Sequence, residues 1–247
     1  MSESVEPKQT KRHKKPKRKR GIVDRIITWA LVLIIIGTLG TLGYYLYKDF
    51  SAQNSIQDNG EALQKEYSAK TYDEKDTKKE KVRYDTPLQN LTSDEILNGT
   101  TEANMRQLNG YVRGRIQAPS INMDLPLFNG VSHQKLLVGA GTLKPDQTLK
   151  GNKNFAVAGH NTHTWRPVLF AQVPKLQKGA KITVSFHNKV ATYAVESITV
   201  VTPYQVDRID DKEAKDAKQP LLSLITCTPD SKNRYLVRAV QTNLVEY

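Results

Sequence analysis

The stretch KITVSFHNKVATYAVESITVV, residues 181–201, shows how the second half of this chain folds. Apolar and β-branched residues recur along both of its halves, often in alternation with polar ones, which is the pattern of half-buried strands. The short polar segment HNKV, residues 187–190, separates the two halves. The stretch therefore predicts a β-hairpin.

Similar runs recur throughout residues 104–247, and Pro, Gly and Asn interrupt them at short intervals. The further runs are YVRGRIQ (111–117), DLPLF (124–128), NFAVAG (154–159), LLSLITC (221–227) and RYLVRAV (234–240). Between them, QKLLVGAG (134–141) and VLFAQVPKL (168–176) are typical of short helices or turns, and residues 203–220 form a long polar loop. Many short strands at such spacings predict an all-β domain with short helices, either a barrel or a sandwich.

An uncharged segment near the N-terminus, residues 26–47, is long enough to cross a membrane as a helix. Trp29 lies near one end and three tyrosines near the other, as is typical of the two membrane interfaces. Residues 1–25 carry ten Lys and Arg against three acidic residues, a large part of the net charge of +12. Because positive flanks stay inside, the sequence predicts a basic cytoplasmic tail (1–25), a single-pass signal anchor (26–47) in the cell membrane and an extracellular remainder.

This topology makes the membrane the expected partner of the basic tail, and it argues against nucleic-acid binding. Residues 48–103 are highly charged and poor in large apolar residues, so they predict a stalk or linker without a core of its own. Within this stalk, TSDEILNG (92–99) has Thr92 as a candidate N-cap and Glu95 three residues later. This pattern predicts a short helix near 92–98 that packs on the domain formed by residues 104–247.

Cys227 is the only cysteine in the 247 residues, and it ends the apolar run 221–227. An intramolecular disulfide and a multi-cysteine zinc site are therefore excluded. A free cysteine is often a small buried hydrophobe, which would make this chain a non-enzymatic surface module. A lone thiol at a strand end in an oxidising environment is better explained as a nucleophile.

A reactive thiol needs a nearby base or cation. His160 directly follows the run 154–159, so two strands that end in reactive side chains can present both groups at one end of a barrel. A cationic His160 would favour the Cys227 thiolate. His163, in the loop that follows, is the rival base. The remaining histidines lie in turn-like or tail positions: His13, His133 and His187.

Arg234 begins the run that follows the turn TPDSKN (228–233), so an antiparallel hairpin would return it to the side of Cys227. A cation there can stabilise negative charge that develops on a substrate carbonyl. Arg238, four residues further on, is the alternative, although a solvated strand position explains it better. The sequence does not select a carboxylate to orient His160 from the candidates Asp124, Asp146 and Asp230.

Several of these segments together resemble the sortases, the cysteine transpeptidases of Gram-positive bacteria. AGH (158–160) and SLITC (223–227), followed by an arginine, resemble the family's motifs, with Ser223 in place of the first Thr of T-L-x-T-C. The resemblance extends in order over 104–247 through GRIQAPSINMDLPLFNG, LLVGAG, VLF and ITVVTPYQV. The chain has an N-terminal anchor, no C-terminal apolar helix and no D-P-[W/F] lid motif, and in these respects it resembles class A, the housekeeping sortases.

The resemblance implies an eight-stranded sortase-type β-barrel with the catalytic residues His160, Cys227 and Arg234. Cys227 would cleave the Thr–Gly bond of an LPXTG-type sorting signal and form a thioester, while His160 protonates the leaving amine. The implied partners are LPXTG-bearing surface proteins and the amine of a peptidoglycan precursor, lipid II, which resolves the thioester. A membrane-anchored cysteine hydrolase with the same Cys–His pair, and water as the acceptor, is the alternative.

Residues that match the family's peptide groove are Val206, Ile209, Ser223, Ile225 and Thr226, although Ile225 fits a barrel core equally well. Some class A sortases bind calcium through acidic residues in the loop before the AGH strand. The corresponding stretch here, residues 142–154, has one acid, Asp146, and three lysines. Calcium requires six to eight oxygen ligands, so we predict no metal site, no calcium requirement and no cofactor.

Overall fold

The computed structural model describes residues 21–73, 75, 82–162, 164 and 168–247. Most of the basic tail, with His13, and the candidate base His163 therefore lie outside the described residues. The chain divides into an N-terminal unit that ends at Tyr44 and a second unit, Tyr45–Tyr247.

A single long helix, α1 (Ile22–Gln64), begins in the N-terminal unit. It is long and apolar enough to cross a membrane, and none of the side chains in its most apolar stretch is buried. The helix includes the predicted anchor, residues 26–47, and continues beyond it at both ends. Asp24 lies in the first turn, where a carboxylate favours helix formation.

Short helices and strands make up the rest of the second unit. The helices are α2 (Ser93–Gly99), α3 (Glu102–Arg106), α4 (His133–Leu136) and α5 (Asp211–Ala217), with 3-10 turns at Pro119–Ile121, Val173–Lys175 and Val206–Ile209. The strands are β1 (Asn90–Leu91), β2 (Val112–Ala118), β3 (Met123–Phe128), β4 (Ala140–Thr142), β5 (Asn154–Ala158), β6 (Asn161–Thr162), β7 (Lys181–Phe186), β8 (Lys189–Val201), β9 (Leu221–Cys227) and β10 (Arg234–Glu246).

Eight of these strands close into a barrel in the order β10-β8-β7-β2-β3-β4-β5-β9. The predicted eight-stranded barrel is therefore confirmed. The stretch 181–201 is the β7–β8 hairpin, in which Phe186 pairs with Lys189. Closure leaves no free strand edge in the barrel that the structure describes, and a free edge is where sheets aggregate.

The structure differs from the sequence-based prediction in two segments between the long strands. Residues 140 and 141, expected as helix or turn, form β4 together with Thr142, and this strand pairs with β3 and with β5. A strand of three residues is too short to show alternation, so its partners decide its conformation. The long polar segment 203–220 contains the 3-10 turn Val206–Ile209 and α5.

The interior of the barrel is filled by the side chains that point inward from successive strands. Ile116, Leu127, Val157, Leu224 and Val237 belong to one core cluster and are inaccessible to solvent. Each buried side chain of this size contributes about 1.5–3 kcal/mol to folding.

The prediction that residues 48–103 form a stalk without a core is wrong for the described part of that segment. Ala52, Ile56 and Leu63 on α1, with Leu91 and Ile96, are buried in the same cluster as the barrel core. These apolar residues form a narrow stripe among many charges, so the average composition conceals them. Segment 48–103 is thus part of the folded unit where the structure describes it.

The short helix near 92–98 is present as α2, and both halves of its capping box are formed. The Thr92 hydroxyl accepts a hydrogen bond from the Glu95 N–H, and the Glu95 carboxylate accepts one from the Thr92 N–H at 2.8 Å. Ile96 packs this helix against the core.

Candidate active site

Three strand ends meet on one side of the barrel and bring the predicted reactive residues together. β5 and β9 are parallel, with Ala158 opposite Ile225, and the Gly159 N–H donates to the Ile225 carbonyl at 3.2 Å. When this register is extended by two residues along both strands, His160 lies opposite Cys227. β9 and β10 are antiparallel, and Arg234 is the direct partner of Cys227.

The Cys227 side chain is fully buried in this structure. Its backbone carbonyl accepts a hydrogen bond from Asn161 Nδ2 at 3.1 Å, which fixes the end of β9. Burial raises the pKa of the thiol, and the positive charge of Arg234 acts in the opposite direction. In this conformation the thiol is therefore protonated at neutral pH.

His160 is also fully buried. Its Nδ1 accepts a hydrogen bond from the backbone N–H of Gln89 at 3.2 Å, which requires that Nδ1 carry no proton. Nε2 has no hydrogen-bond partner among the described residues, so it is the nitrogen left for proton exchange. Burial is the main cause that lowers the pKa of His160 to about 4, and His133, whose ring centroid lies 6.1 Å away, is the second.

Cys227 and His160 are thus both neutral in this conformation, so the thiolate that a cationic His160 would favour is not formed here. The physical reason is the loss of solvent, because burial penalises the charged form of each group.

The guanidinium of Arg234 is held beside the thiol by the turn that precedes it. Its Nη1 donates to the carbonyls of Ser231 at 3.0 Å and Asn233 at 2.9 Å. The turn is itself closed by Thr228, whose hydroxyl donates to Asp230 and accepts from the Asn233 N–H. Sequence separation alone would not have shown that these carbonyls orient Arg234.

An apolar cluster, which we call the groove after the family's peptide groove, lies on the Cys227 face of the strands. Ile225, Val201 and Leu236 form a small cluster, against which Leu143, Ile209 and Leu88 pack. Of the predicted groove residues, Ile225 and Ile209 are therefore brought together. Val206 begins the same 3-10 turn as Ile209 and is 67% exposed.

The other two predicted groove residues contribute less to this face. Ser223 shares the Ile225 side of β9 by the two-residue period, and its hydroxyl donates to Asn154 Oδ1 at 2.9 Å. Thr226 lies two residues after Leu224, which belongs to the barrel core, so the two side chains share the inner face of β9. The Thr226 side chain is therefore not on the Cys227 face.

The alternative catalytic candidates are engaged elsewhere. Arg238 donates to Glu213 at 2.7 Å and to the Arg208 carbonyl at 3.0 Å. Asp124 pairs with Arg115, and Asp230 accepts from Thr228. His187 stacks on Phe186 and Tyr72 at the β7–β8 hairpin.

The loop in which calcium ligands were considered carries an ion pair. Lys144 Nζ lies 2.8 Å from Asp211 Oδ1 and donates to the Ile209 carbonyl at 2.8 Å. Lys153 Nζ lies 3.6 Å from the second oxygen of Asp211. Within the part of the chain that the structure describes, no group of three or more His, Cys, Asp or Glu is arranged to hold a metal ion.

A closed eight-stranded barrel with a cysteine, a histidine and an arginine at three neighbouring strand ends is the arrangement expected of a sortase. The Sortase domain family matches residues 116–242, and this chain belongs to the sortase family. Members of this family are cysteine transpeptidases.

Relatives of this chain carry the name Sortase A. The protein of Streptococcus agalactiae is 32% identical over 220 residues, which cover 86% of this chain and 83% of that protein. The Bacillus anthracis protein is 30% identical over 84% of this chain and 90% of its own length. The crystal structure of Listeria monocytogenes sortase A is 26% identical, with a TM-score of 0.50 over 56% of this chain and 91% of that one.

Proposed function

We propose that this chain is a membrane-anchored transpeptidase that cleaves the Thr–Gly bond of LPXTG-type sorting signals and transfers the new acyl group to a cell-wall precursor amine, that of lipid II. The observation that carries the proposal is the register that aligns Cys227 with Arg234 and, across β5, with His160.

In the proposed reaction, the Cys227 thiol gives its proton to His160 as the sulfur attacks the threonine carbonyl carbon; a thioester forms and the C–N bond to glycine breaks. His160 passes a proton through Nε2 to the leaving amine. The incoming amine then attacks the thioester, transfers a proton to His160 and releases the thiol. A thioester suits this second step, because it is a good acyl donor to an amine.

Arg234 is the proposed stabiliser of the negative charge that develops on the threonine carbonyl oxygen. Its Nη1 is committed to the carbonyls of Ser231 and Asn233, which leaves other guanidinium N–H groups for substrate. The groove of Ile225, Ile209 and Val201 is proposed to take the apolar side chains of the signal, with Val206 at its rim.

The anchor and topology are proposals that rest on α1 and on the charge of the tail. The apolar stretch of α1 matches the length of a bilayer core, and the ten basic residues of 1–25 favour a cytoplasmic tail by the positive-inside rule. The catalytic unit is then extracellular, where surface proteins and precursor meet.

The test uses the full chain in detergent micelles, an LPXTG peptide and triglycine as the acceptor amine. We expect cleavage between Thr and Gly and an amine-joined product by mass spectrometry, and neither with Cys227→Ala. Release of the free acid alone, with triglycine present, would support the hydrolase alternative. The absence of turnover by the folded chain with LPXTG and with variant signals such as LPXTA would contradict the proposal.

A further inference from the structure

The hydrogen bonds between β5 and β9 continue to the active site, where a side chain takes over from the backbone. In a parallel pair, the acceptors on one edge of a strand recur every two residues. The Gly159 N–H donates to the Ile225 carbonyl at 3.2 Å, so the next acceptor along this edge is the carbonyl of Cys227. β5 has ended by this point, and Asn161 Nδ2 donates to that carbonyl at 3.1 Å. The residue after the proposed base therefore holds the main chain of the proposed nucleophile.

The Asn161 amide has one favoured orientation, because both of its ends are engaged. Oδ1 accepts a hydrogen bond from the Thr162 N–H at 2.8 Å, while Nδ2 donates to the Cys227 carbonyl. A flipped amide would set its oxygen against that carbonyl and its NH2 against an N–H, so both hydrogen bonds would be lost. Asn161 is only 8% exposed, and water therefore offers little replacement for these bonds.

The loop that follows His160 is held from its other side as well. The Phe170 N–H donates to the His160 carbonyl at 3.1 Å, and the Val168 N–H donates to the Thr162 hydroxyl at 3.2 Å. These bonds fix the main chain of His160 relative to its own loop, whereas the Asn161 amide fixes it relative to Cys227. Removal of the amide would leave the loop intact but free to shift against the end of β9.

The proposed reaction depends twice on the separation of Cys227 and His160. The thiol gives its proton to His160 as the thioester forms, and His160 then gives a proton to the leaving amine. Each transfer requires groups within hydrogen-bond reach, and a displacement of about 1 Å can lower a rate about 100-fold. Both partners of the Asn161 amide are main-chain atoms, so this side chain acts on the reaction through position alone.

We infer that Asn161 is a positioning residue, whose side-chain amide ties the Cys227 main chain to the residue after His160 and so fixes the distance between thiol and imidazole. The inference rests on the proposed function for the reaction that this distance serves. The coupling of the thiol to the imidazole can be measured without any peptide, so the inference and the proposed substrate can fail separately.

The experiment compares three substitutions of Asn161 with a matched control. Asn161→Leu keeps the size of the side chain but removes the donor, Asn161→Ala removes both, and Asn161→Gln keeps an amide. The control is Asn104→Leu, because Asn104 Nδ2, in α3, also donates to a main-chain carbonyl at 3.1 Å, that of Gly99. All are full chains in detergent micelles, and circular dichroism sets a temperature at which each is folded.

The first measurement is the pH profile of Cys227 alkylation by iodoacetamide, which the lone cysteine makes unambiguous. Access to the thiol scales the whole profile, whereas its midpoint reports how readily the thiol loses its proton. We expect Asn161→Leu to move the midpoint to higher pH by about one unit, towards that of His160→Gln, and to add nothing in the His160→Gln background. The other charged groups that act on the pair are the same in every variant: Glu95, His133 and Arg234.

The second measurement is turnover of the LPXTG peptide with triglycine as the acceptor. We expect Asn161→Leu and Asn161→Ala to lower kcat by about 10–100-fold and to leave KM within about twofold of the wild type, because the groove is unchanged. Asn161→Gln should recover part of the loss. Asn104→Leu should match the wild type in both measurements.

A wild-type midpoint and kcat in folded Asn161→Leu and Asn161→Ala would overturn the inference, and so would an equal loss in Asn104→Leu, which would reflect stability alone. A midpoint shift that adds to that of His160→Gln would also overturn it, as would a raised KM with unchanged kcat, since Asn161 would then act in peptide binding. A midpoint shift shared with His160→Gln, together with no turnover by the wild type, would support the role of Asn161 and contradict the proposed substrate.

Discussion

Arg234 is the direct cross-strand partner of Cys227, and its positive charge opposes the rise in the thiol pKa that burial causes. Residues opposite each other on an antiparallel pair lie about 4.5–5.5 Å apart at Cα and project to the same face. Arg234 is therefore placed to act on the sulfur before reaction and on the substrate carbonyl during it.

Removal of the Arg234 charge should impair both of these actions. We expect Arg234→Met to raise the pKa of Cys227 and to lower kcat/KM by about 100-fold or more, the usual cost of a lost oxyanion donor. Arg234→Lys keeps the charge but loses the planar fork that donates to Ser231 and Asn233, so its loss should be smaller, about tenfold. The checks are peptide turnover and the pH profile of alkylation.

Arg238→Met is the control for this pair, because Arg238 is held by Glu213 and the Arg208 carbonyl. Its alkylation profile should match that of the wild type. Wild-type turnover in Arg234→Met would contradict the role proposed for Arg234.

The burial of His160 should make the stability of this chain sensitive to mild acid. The pKa of His160 is about 4 in the folded state, against 6.5 for an exposed histidine. Between these pH values the unfolded chain binds a proton that the folded chain does not, so the free energy of unfolding falls as the pH is lowered from 6.5 towards 4. The slope from this one group is up to about 1.4 kcal/mol per pH unit.

Urea unfolding at several pH values between 4.5 and 6.5 measures this effect. Carboxylates begin to protonate at the lower end of this window, and the comparison with a His160 variant removes their contribution because both proteins carry the same ones. His160→Gln should show a flatter pH dependence than the wild type, while the other histidines contribute equally to both. Parallel pH profiles would contradict the neutral, buried state of His160.

The barrel strands were largely predictable because their side chains repeat with a clear period over five or more residues. β7, β8 and β9 coincide with their predicted runs to within one residue, and β9 coincides fully. β4 and β6 were not predicted, since strands of three and two residues carry no periodic signal. Their conformation comes from pairing with neighbours distant in sequence.

The meeting of Cys227, His160 and Arg234 at neighbouring strand ends was predictable, because each follows or begins a recognisable strand. The hydrogen bond from Gln89 to His160 was not predictable, because it uses the backbone N–H, which every residue except proline possesses. The neutral state of the Cys–His pair was missed for the same reason: a sequence shows which groups titrate, and burial decides their pKa values.

Gly159 in the AGH segment should be intolerant of any side chain. A Cβ at this position would lie 2.5 Å from the Phe170 ring, and the Phe170 N–H donates to the His160 carbonyl at 3.1 Å. We expect Gly159→Ala to destabilise the fold by about 1–3 kcal/mol, because the buried ring has to shift. Thermal unfolding provides the measurement, and peptide turnover should fall because the same shift displaces His160.

Gly151→Ala tests whether that cost comes from the close approach or from glycine itself. Gly151 has a positive φ of 71°, and a Cβ there would meet nothing within 4 Å. Gly151→Ala should therefore lower the free energy of unfolding by about 1 kcal/mol, through backbone strain alone, and leave peptide turnover normal. Equal turnover defects in the two variants would argue against a specific packing role for Gly159.

The Lys144–Asp211 ion pair should take the place of a cation in tying the loop 142–154 to the groove. Lys144 Nζ contacts both Asp211 and the carbonyl of Ile209, a groove residue, and the lysine side chain is 19% exposed. We therefore expect full turnover after chelation and no increase with millimolar calcium. Lys144→Ala should lower the free energy of unfolding by about 1–3 kcal/mol and raise KM, because the groove loses its support while Asp211 loses its closest charge partner.

Lys153→Ala is the matched control, since Lys153 lies 3.6 Å from Asp211 with 46% of its side chain exposed, and an exposed pair of this kind contributes less than about 1 kcal/mol. A several-fold activation of the chelated wild type by calcium, or equal effects of the two lysine substitutions, would contradict this account of the loop.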